Sequence, residues 1–198
     1  YSGVVPVTER YLETCAQFGI EDDGKGLEVF VPDPTIETMA LTMSKFKFAE
    51  QKIVIGFAPA ANHATKRWLP ERFVELGVKM AEQYNARIMI LGGKTDATYC
   101  EDIAHMINMQ TGVRMAETFA GSFSLIETAA ALDYCTLVVC NDTGLMHLAQ
   151  ARGKQVVAIF GSTVKEFGFF PIAEQSKVVQ ANDIDCRPCS HIGRAECP

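Results

Sequence analysis

The stretch VVCNDTGLMHLAQARG, residues 138–153, joins an apolar run to a segment whose apolar residues recur at helical spacing. The polar residues NDTG, 141–144, stand at the junction, and His147 follows one turn into the helical segment. An apolar strand that runs directly into a helix is the building unit of a parallel sheet. The stretch therefore predicts a strand, a turn and a helix, with free backbone N–H groups where the helix begins.

The same alternation of strand and helix extends over the chain from residue 51 onward. Continuous apolar runs of this kind are typical of strands that are covered on both faces. The predicted strands are IVIGFAP (53–59), ARIMILGG (86–93), VRMAE (113–117), TLVVCND (136–142), QVVAIFGST (155–163) and SKVVQAN (176–182). The predicted helices are PERFVELGVKMAEQY (70–84), DATYCEDIAHMINMQ (96–110), SLIETAAALDYC (124–135) and GLMHLAQARG (144–153). This order predicts an α/β fold: a Rossmann-like three-layer α/β/α domain with a mainly parallel sheet.

Residues 1–50 have a different pattern. We expect a short helix over residues 8–20, with Thr8 as its N-cap and Gly19 at its end, then a strand LEVFV at 27–31. A second helix is predicted over PDPTIETMALTMSKF, residues 32–46. Because these elements do not make a core of their own, we interpret residues 1–50 as a connector or the remnant of an absent N-terminal domain, and residues 51–198 as the main domain.

Composition excludes several classes of function. The chain has 198 residues, 48% of them hydrophobic, which is enough to bury a full core. A formal net charge of −6 argues against a nucleic-acid-binding protein, although a local positive patch can still hold a phosphate. No apolar run approaches the roughly 20 residues of a transmembrane helix, so no transmembrane segment is expected.

The seven cysteines are an odd number, as expected for reduced thiols in a cytoplasmic protein. The C-terminal segment CRPCSHIGRAEC nevertheless offers a set of side chains that can ligate zinc or form a disulfide: Cys186, Cys189, His191 and Cys197. One CxxC followed by a single further cysteine is a weak metal signature, and reduced thiols in a terminal loop are the preferred interpretation. No metal is expected.

Candidate ligand-binding residues follow the strands, because ligands of open parallel sheets bind at the carboxyl ends of the strands. At the turn before residue 145, free N–H groups and the positive end of the helix dipole favour an anion, and Gly144 allows close approach. His147 can donate to a phosphate oxygen. The alternatives remain open: Asp142 or Thr143 can serve only as an N-cap, and a helical histidine is often structural.

Two further strand ends add candidates to the same edge. Lys66 and Arg67, in HATKRW, offer positive charge after the first strand of the main domain, or else form a solvated basic pair. Asp96 follows LGG and can accept a hydrogen bond from a ribose diol, or can simply cap the helix that it opens. Because these ends share one edge of the sheet, we expect the candidates to converge on one anion site.

Other phosphate-binding motifs are absent. Residues 19–25 match GxxxxGK, but Gly26 stands where a P-loop has Ser or Thr, and no strand-to-helix junction surrounds the match. No GxGxxG follows a strand and opens a helix, which weakens a dehydrogenase interpretation. No GxSxG supports a hydrolase.

The motifs from residue 51 to about residue 189 resemble the C-terminal half of glycosyltransferase family 9, the lipopolysaccharide heptosyltransferase family. The segments that carry the resemblance are APAANHATKRWLPERF, LGGKTD, FAGSFSLIETAAAL, VVCNDTGLMHLAQARG, VVAIFGST and CRPC. The combination of NDTGLMHLA and KRW is the most specific of them. The resemblance implies the C-terminal half of a GT-B fold, which in this family holds the nucleotide-sugar donor, typically ADP-heptose, without a metal.

The resemblance also implies a role for each candidate residue. Thr143, Gly144 and His147 would hold the pyrophosphate, and Lys66 would neutralise the charge that develops on the leaving ADP. Asp142 would contact the donor sugar or shape the turn. Asp96 would contact the ribose, and Ser122 and Phe123 would flank the base. No cofactor is expected, and the general base would lie in the missing N-terminal half.

The function implied is transfer of heptose from ADP-heptose to the lipopolysaccharide inner core. The expected partners are the donor, a lipid A/core oligosaccharide acceptor and the N-terminal domain. The expected location is the cytoplasm, with peripheral association at the inner face of the inner membrane as a further expectation. Two alternatives stay open: a nucleotide-sugar epimerase of similar architecture, and a non-catalytic nucleotide-binding domain.

Overall fold

The centre of the fold is a six-stranded sheet in which every neighbouring pair of strands is parallel. The structure is a computed structural model that describes residues 4–182 and 184–197. Residues 1–3, 183 and 198, which belong to the predicted N-terminal region and main domain, lie outside the described residues. The strands are β1 (Val54–Ala58), β2 (Arg87–Ile90), β3 (Ala116–Thr118), β4 (Leu137–Asn141), β5 (Gln155–Phe160) and β6 (Lys177–Gln180). The predicted strands after residue 51 are thereby confirmed.

Helices occupy the intervals between the strands, as the sequence predicts. The helices are α1 (Val7–Glu13), α2 (Asp33–Lys45), α3 (Pro70–Tyr84), α4 (Ala97–Thr111), α5 (Leu125–Leu132) and α6 (Gly144–Ala151). Short 3₁₀ turns lie at Ala16–Phe18, Ala64–Lys66, Lys94–Asp96 and Lys165–Phe167. The bounds of α3 agree with the predicted helix over 70–84, since Pro70 fits the first helical turn.

Two apolar layers separate the sheet from its helices. On one face, α3 and α4 bury Phe73 and Ile103 against Phe57 of β1. On the other face, α2, α5 and α6 bury side chains against the sheet; these are Met39, Met43, Ala129, Leu132, Met146 and Ala149. The three-layer α/β/α arrangement that the sequence predicts is therefore confirmed.

Part of the region before residue 51 belongs to this core. Val31, Met39, Met43 and Phe48 are each at most 5% exposed, and α2 packs against α5. A buried helix face of this kind completes the sheet's second covering layer. The predicted boundary at residue 50 stays a prediction, but residues 31–48 pack as an integral part of the same core.

Two local predictions in this region are wrong. The expected helix over 8–20 ends at Glu13, and its N-cap is Pro6 rather than Thr8. The hydroxyl of Thr14 donates to the carbonyl of Tyr11, a local hydrogen bond that competes with helix continuation. The segment 27–31 pairs with no strand in the described part of the chain; it runs beside the domain, where the carbonyl of Val29 accepts from Arg152.

The strand order is β3-β2-β1-β4-β5-β6, so the chain reverses its direction of travel across the sheet between β1 and β4. In open parallel sheets, the crevice outside the carboxyl ends of the two strands at such a reversal is the usual ligand site. A ligand site is therefore expected at the loops that follow β1 and β4. Within the described residues, every helix is too short or too polar to cross a membrane.

Candidate functional site

Asn141, the last residue of β4, joins the two loops at the reversal point. It is fully buried, and its amide nitrogen donates to the carbonyl of Pro59 at 2.6 Å. Its amide oxygen accepts from the backbone N–H of Trp68 at 3.0 Å. Because Pro59 and Trp68 stand at the two ends of the loop after β1, one side chain fixes the loop that carries Lys66.

Lys66 forms a partly buried ion pair with Asp142. The ammonium lies 2.7 Å from Oδ2 of Asp142, and the two side chains are only 17% and 9% exposed. The hydroxyl of Thr163, which follows β5, donates to the same carboxylate oxygen at 2.7 Å. Three successive loops of the sheet edge thus meet at one carboxylate, and the charge of Lys66 is held in place rather than mobile.

The first turn of α6 has no side-chain cap. Its N-cap residue, Thr143, makes no capping hydrogen bond, and its buried hydroxyl has no partner among the described residues. The carboxylate of Asp142 is taken by Lys66 and Thr163, so neither residue fills the capping role that the sequence left open. A buried hydroxyl without a partner is costly, and free helix N–H groups attract anions. The start of α6 is therefore suited to an anionic ligand.

Two cavities meet at this helix start. The larger, of about 1000 Å³, extends over the ends of β1 and β2, and the smaller, of about 320 Å³, extends towards the loop after β5. Thr143, Gly144 and His147 line both cavities, whereas Lys66 and Asp142 line the smaller one. The first turn of α6 therefore contributes to the walls of both cavities.

His147 is largely neutral at neutral pH in this setting. Burial lowers the pKa of its imidazole below the ordinary 6.5; nearby Asp142 acts in the opposite direction, and Lys66 lowers the pKa further. A neutral imidazole can still donate one hydrogen bond. His147 therefore adds a donor to the site without adding a full charge.

The remaining predicted residues differ in how they relate to the cavities. Asp96 lines the larger cavity, and its Oδ2 accepts from the N–H of Gly93 at 3.1 Å, so it caps this turn and leaves its second oxygen available. Phe123 lines the same cavity and stacks on Phe119 with ring centroids 4.8 Å apart. Ser122 is exposed and lies outside the residues that line either cavity in the described part of the chain.

The C-terminal candidates for a metal site are three free thiols and one histidine in the structure. Cys186, Cys189 and Cys197 are free thiols, and His191 instead lines the smaller cavity. Across residues 4–182 and 184–197, no group of three or more His, Cys, Asp or Glu side chains is arranged to hold a metal ion. The expectation of no metal remains a prediction.

Two residues at strand ends have roles that the sequence does not predict. Asn141 fixes the loop of Lys66, and Thr163 binds Asp142. Both roles depend on contacts between residues 21 to 82 positions apart. The position of each at the end of a buried strand is the only signal that the sequence carries.

Comparison with known proteins agrees with this geometry. The chain matches the family described as Glycosyltransferase family 9 (heptosyltransferase) over residues 6–197. The chain belongs to glycosyltransferase family 9. The predicted family resemblance is thereby confirmed, and the match includes the region before residue 51.

A characterised relative of this family-9 chain is lipopolysaccharide heptosyltransferase 2 of Escherichia coli. The two are 24% identical over 179 residues, which cover 88% of this chain and 51% of the relative. Lipooligosaccharide heptosyltransferase 2 of Haemophilus ducreyi is 29% identical over 154 residues, which cover 76% of this chain and 43% of the relative. The chain thus spans about half the length of the curated relatives that it matches.

Solved structures show the same fold. A family 9 glycosyltransferase from Veillonella parvula matches with a TM-score of 0.79 at 22% identity, over 91% of this chain and 50% of that one. The E. coli heptosyltransferase WaaC, solved with ADP, matches with a TM-score of 0.65 at 20% identity, over 91% of this chain and 52% of that one. Each match covers about half of the larger protein, in agreement with one half of a GT-B fold.

Proposed function

We propose that this chain is the donor-binding part of a glycosyltransferase that transfers heptose from ADP-heptose to the lipopolysaccharide inner core. The observation that carries the proposal is the uncapped start of α6, where Thr143 has an unpartnered hydroxyl and lines two neighbouring cavities, one of them also lined by Lys66. Membership of family 9 supplies the reaction class. The E. coli relative solved with ADP supports the choice of nucleotide.

Charge stabilisation on the leaving group is the chemistry that this site can supply. When the bond from the sugar to the diphosphate breaks, negative charge grows on the departing nucleoside diphosphate. The N–H groups at the start of α6, the hydroxyl of Thr143, the imidazole of His147 and the ammonium of Lys66 are donors fixed in place before the reaction. Preorganised donors of this kind stabilise developing charge without a metal, so we propose a metal-independent reaction.

Asp142 has two roles in this proposal. It holds the ammonium of Lys66 at the edge of the smaller cavity, and Thr163 holds Asp142 in turn. Its side chain also lines that cavity, where a sugar attached to the distal phosphate would lie. Asp142 is therefore proposed to orient Lys66 and to contact the donor sugar.

The nucleoside is assigned to the larger cavity. Its lining includes apolar side chains and the free oxygen of Asp96, which suit an aromatic base and a ribose hydroxyl respectively. Phe123 offers a ring face beside the base. Ser122 precedes Phe123 but lies outside the residues that line this cavity, so no contact in the structure supports its place beside the base.

The acceptor and the general base are proposed to lie outside this chain. An acceptor hydroxyl must be deprotonated and held about 3 to 3.5 Å from the anomeric carbon, with water excluded. A single half of a cleft does not meet both requirements, so we propose that an N-terminal half supplies the base and the surface for a lipid A/core acceptor. The reaction would then take place in the cytoplasm, at the inner face of the inner membrane.

Product analysis on the protein together with its N-terminal half tests the proposal. We expect heptose transfer from ADP-heptose to a core acceptor in the presence of EDTA, and no transfer by the 198-residue chain alone although it binds ADP. A changed ADP-sugar without transfer would identify an epimerase, and ADP binding without either reaction would identify a binding domain. Robust transfer by the isolated chain would contradict the division of roles.

A further inference from the structure

The C-terminal loop, residues 184–197, forms one wall of the smaller cavity. His191 and Ile192 line this cavity together with Lys66 and His147. The ring of His191 packs on Phe167 with centroids 4.5 Å apart. The sequence pattern associates His191 with cysteines and a metal, whereas in the structure this exposed histidine lines the smaller cavity.

This loop is tied to the strands that build the site. The guanidinium of Arg187 donates to the carbonyls of Gly161 and Thr163, and the N–H of Cys189 donates to the carbonyl of Ser162. These bonds attach the loop to the segment that follows β5. The loop is therefore anchored by its own hydrogen bonds to the segment beside the site.

A second set of contacts attaches the loop to the segment that carries Lys66. Thr65 and Arg194 exchange hydrogen bonds through their backbones and the Thr65 hydroxyl. Gly193 has φ +97°, and a Cβ there would lie 2.9 Å from Cβ of His63, so only glycine permits this close approach. The hydroxyl of Ser190 bonds both the N–H and the carbonyl of Gly193, which closes a turn with His191 at its tip.

The smaller cavity has little net positive charge, so a bound diphosphate would need further hydrogen-bond donors. The positive charge of Lys66 is balanced by Asp142, and burial keeps His147 largely neutral. A nucleoside diphosphate brings several negative charges into this space. The imidazole of His191 makes no hydrogen bond to any other described residue, so its ring nitrogens remain free for a ligand.

We propose that His191 donates a hydrogen bond to the distal phosphate of the bound nucleoside diphosphate, the phosphate that carries the sugar. The inference rests on the proposed function, because it takes the nucleoside to lie in the larger cavity. The phosphate nearer the nucleoside then lies at the shared boundary, beside Thr143 and Gly144, and the distal phosphate enters the smaller cavity opposite His191. His191 should therefore distinguish a nucleoside diphosphate from a monophosphate.

Calorimetric titration of the 198-residue chain with ADP and with AMP tests this assignment. We expect His191→Phe, which keeps an aromatic ring against Phe167, to weaken ADP binding about tenfold and to leave AMP binding unchanged. His191→Gln, which keeps a donor, should retain most of the ADP affinity. His105→Phe, at an exposed histidine on α4, is the matched control and should bind both nucleotides as the wild type does.

The outcomes separate the two proposals. Wild-type affinity for ADP in His191→Phe, or an equal loss for ADP and AMP, would overturn the role of His191 and leave the proposed function standing. Failure of the wild-type chain to bind ADP would overturn both. Thermal unfolding of each variant checks that a loss of affinity does not arise from a loss of fold, and His191→Gln supplies the second, conservative change.

Discussion

Helices α5 and α6 are both eight residues long and both follow a strand of the same sheet, yet their first turns are built in opposite ways. The hydroxyl of Ser124 accepts from the N–H of Glu127 at 3.2 Å, and the N–H of Ser124 donates to the carboxylate of Glu127 at 2.7 Å. The hydrogen bond from the backbone N–H of Ser124 holds the pKa of the Glu127 carboxyl below its usual range. The start of α5 is therefore closed by its own side chains.

The start of α6 has the residues for a similar cap but does not use them. Asp142 is bound to Lys66 and Thr163, and the hydroxyl of Thr143 has no partner in the described part of the chain. Ser124 and Glu127 contribute stability, whereas the arrangement at α6 leaves donors free at some cost in stability. The difference supports the proposal that an anion binds the free N–H groups at the start of α6, whereas the start of α5 is closed by the side chains of Ser124 and Glu127.

The largest expected effect is a loss of stability when the carboxylate of Asp142 is removed. Asp142→Ala leaves the ammonium of Lys66 partly buried without its partner, which we expect to lower the free energy of unfolding by about 3 kcal/mol. Glu75→Ala is the matched control, because Glu75 pairs with Arg72 and Lys79 at the exposed surface of α3. Its loss should leave stability close to the wild-type value, because exposed ion pairs contribute little. Urea denaturation of both variants measures the two values, and similar losses would contradict the structural role of the buried pair.

Gly144→Ala should separate binding from folding at α6. An added Cβ meets no protein atom within 4 Å, so it extends into the open space where the ligand is proposed to approach. We expect ADP affinity to fall at least about tenfold, because a methyl group blocks close contact with the helix N–H groups. Stability should be unchanged or higher by about 0.5 kcal/mol, since alanine favours a helix more than glycine. Unchanged ADP affinity in a calorimetric titration would remove Gly144 from the site.

Ser124→Ala should have the converse effect at α5. Loss of the capping hydroxyl is expected to lower the free energy of unfolding by about 1 kcal/mol. ADP affinity should stay at the wild-type value, because Ser124 lies outside the residues that line either cavity in the described ranges. Denaturation and calorimetry on the same preparation provide both readouts. A loss of ADP affinity here would mean that the two helix starts are not functionally distinct.

The smallest expected effect is a dependence of stability on pH through His147. Since burial lowers its folded-state pKa, the unfolded chain binds a proton near pH 6.5 that the folded chain binds only at lower pH. The free energy of unfolding should therefore decrease as pH falls through 6.5, until the folded-state pKa is reached. His147→Gln should lose less stability than the wild type between pH 7.5 and about 5.5. Equal losses in denaturation experiments at the two pH values would contradict a lowered pKa.

Much of the fold could be predicted because the main domain follows local rules. The buried runs of β1 and β4 and the helical pattern of α3 depend on residues close in sequence, and each was predicted correctly. The errors lie before residue 51. The segment 27–31 has the composition of a strand, but the sheet leaves it unpaired, and the packing of α2 against α5 joins residues that are far apart in sequence.

The position of the candidate site could be predicted from the sequence, but most of the hydrogen bonds and ion pairs within it could not. Strand ends in a parallel sheet share one edge, and that rule predicted that Lys66, Asp142 and His147 lie together. It did not predict that Lys66 pairs with Asp142, that neither Asp142 nor Thr143 caps α6, or that the C-terminal loop reaches the same cavity. These features depend on distances between side chains from distant loops, which local patterns do not encode.

Titration of the 198-residue chain with ADP in the presence of EDTA tests most directly whether the start of α6 is an open anion site. We expect saturable binding by the wild type, and binding about tenfold weaker in Thr143→Val, which removes the unpartnered hydroxyl but keeps the shape of the side chain. Thermal unfolding of Thr143→Val should match the wild type or exceed it. Absence of ADP binding, or equal affinity in the two proteins, would contradict the central claim.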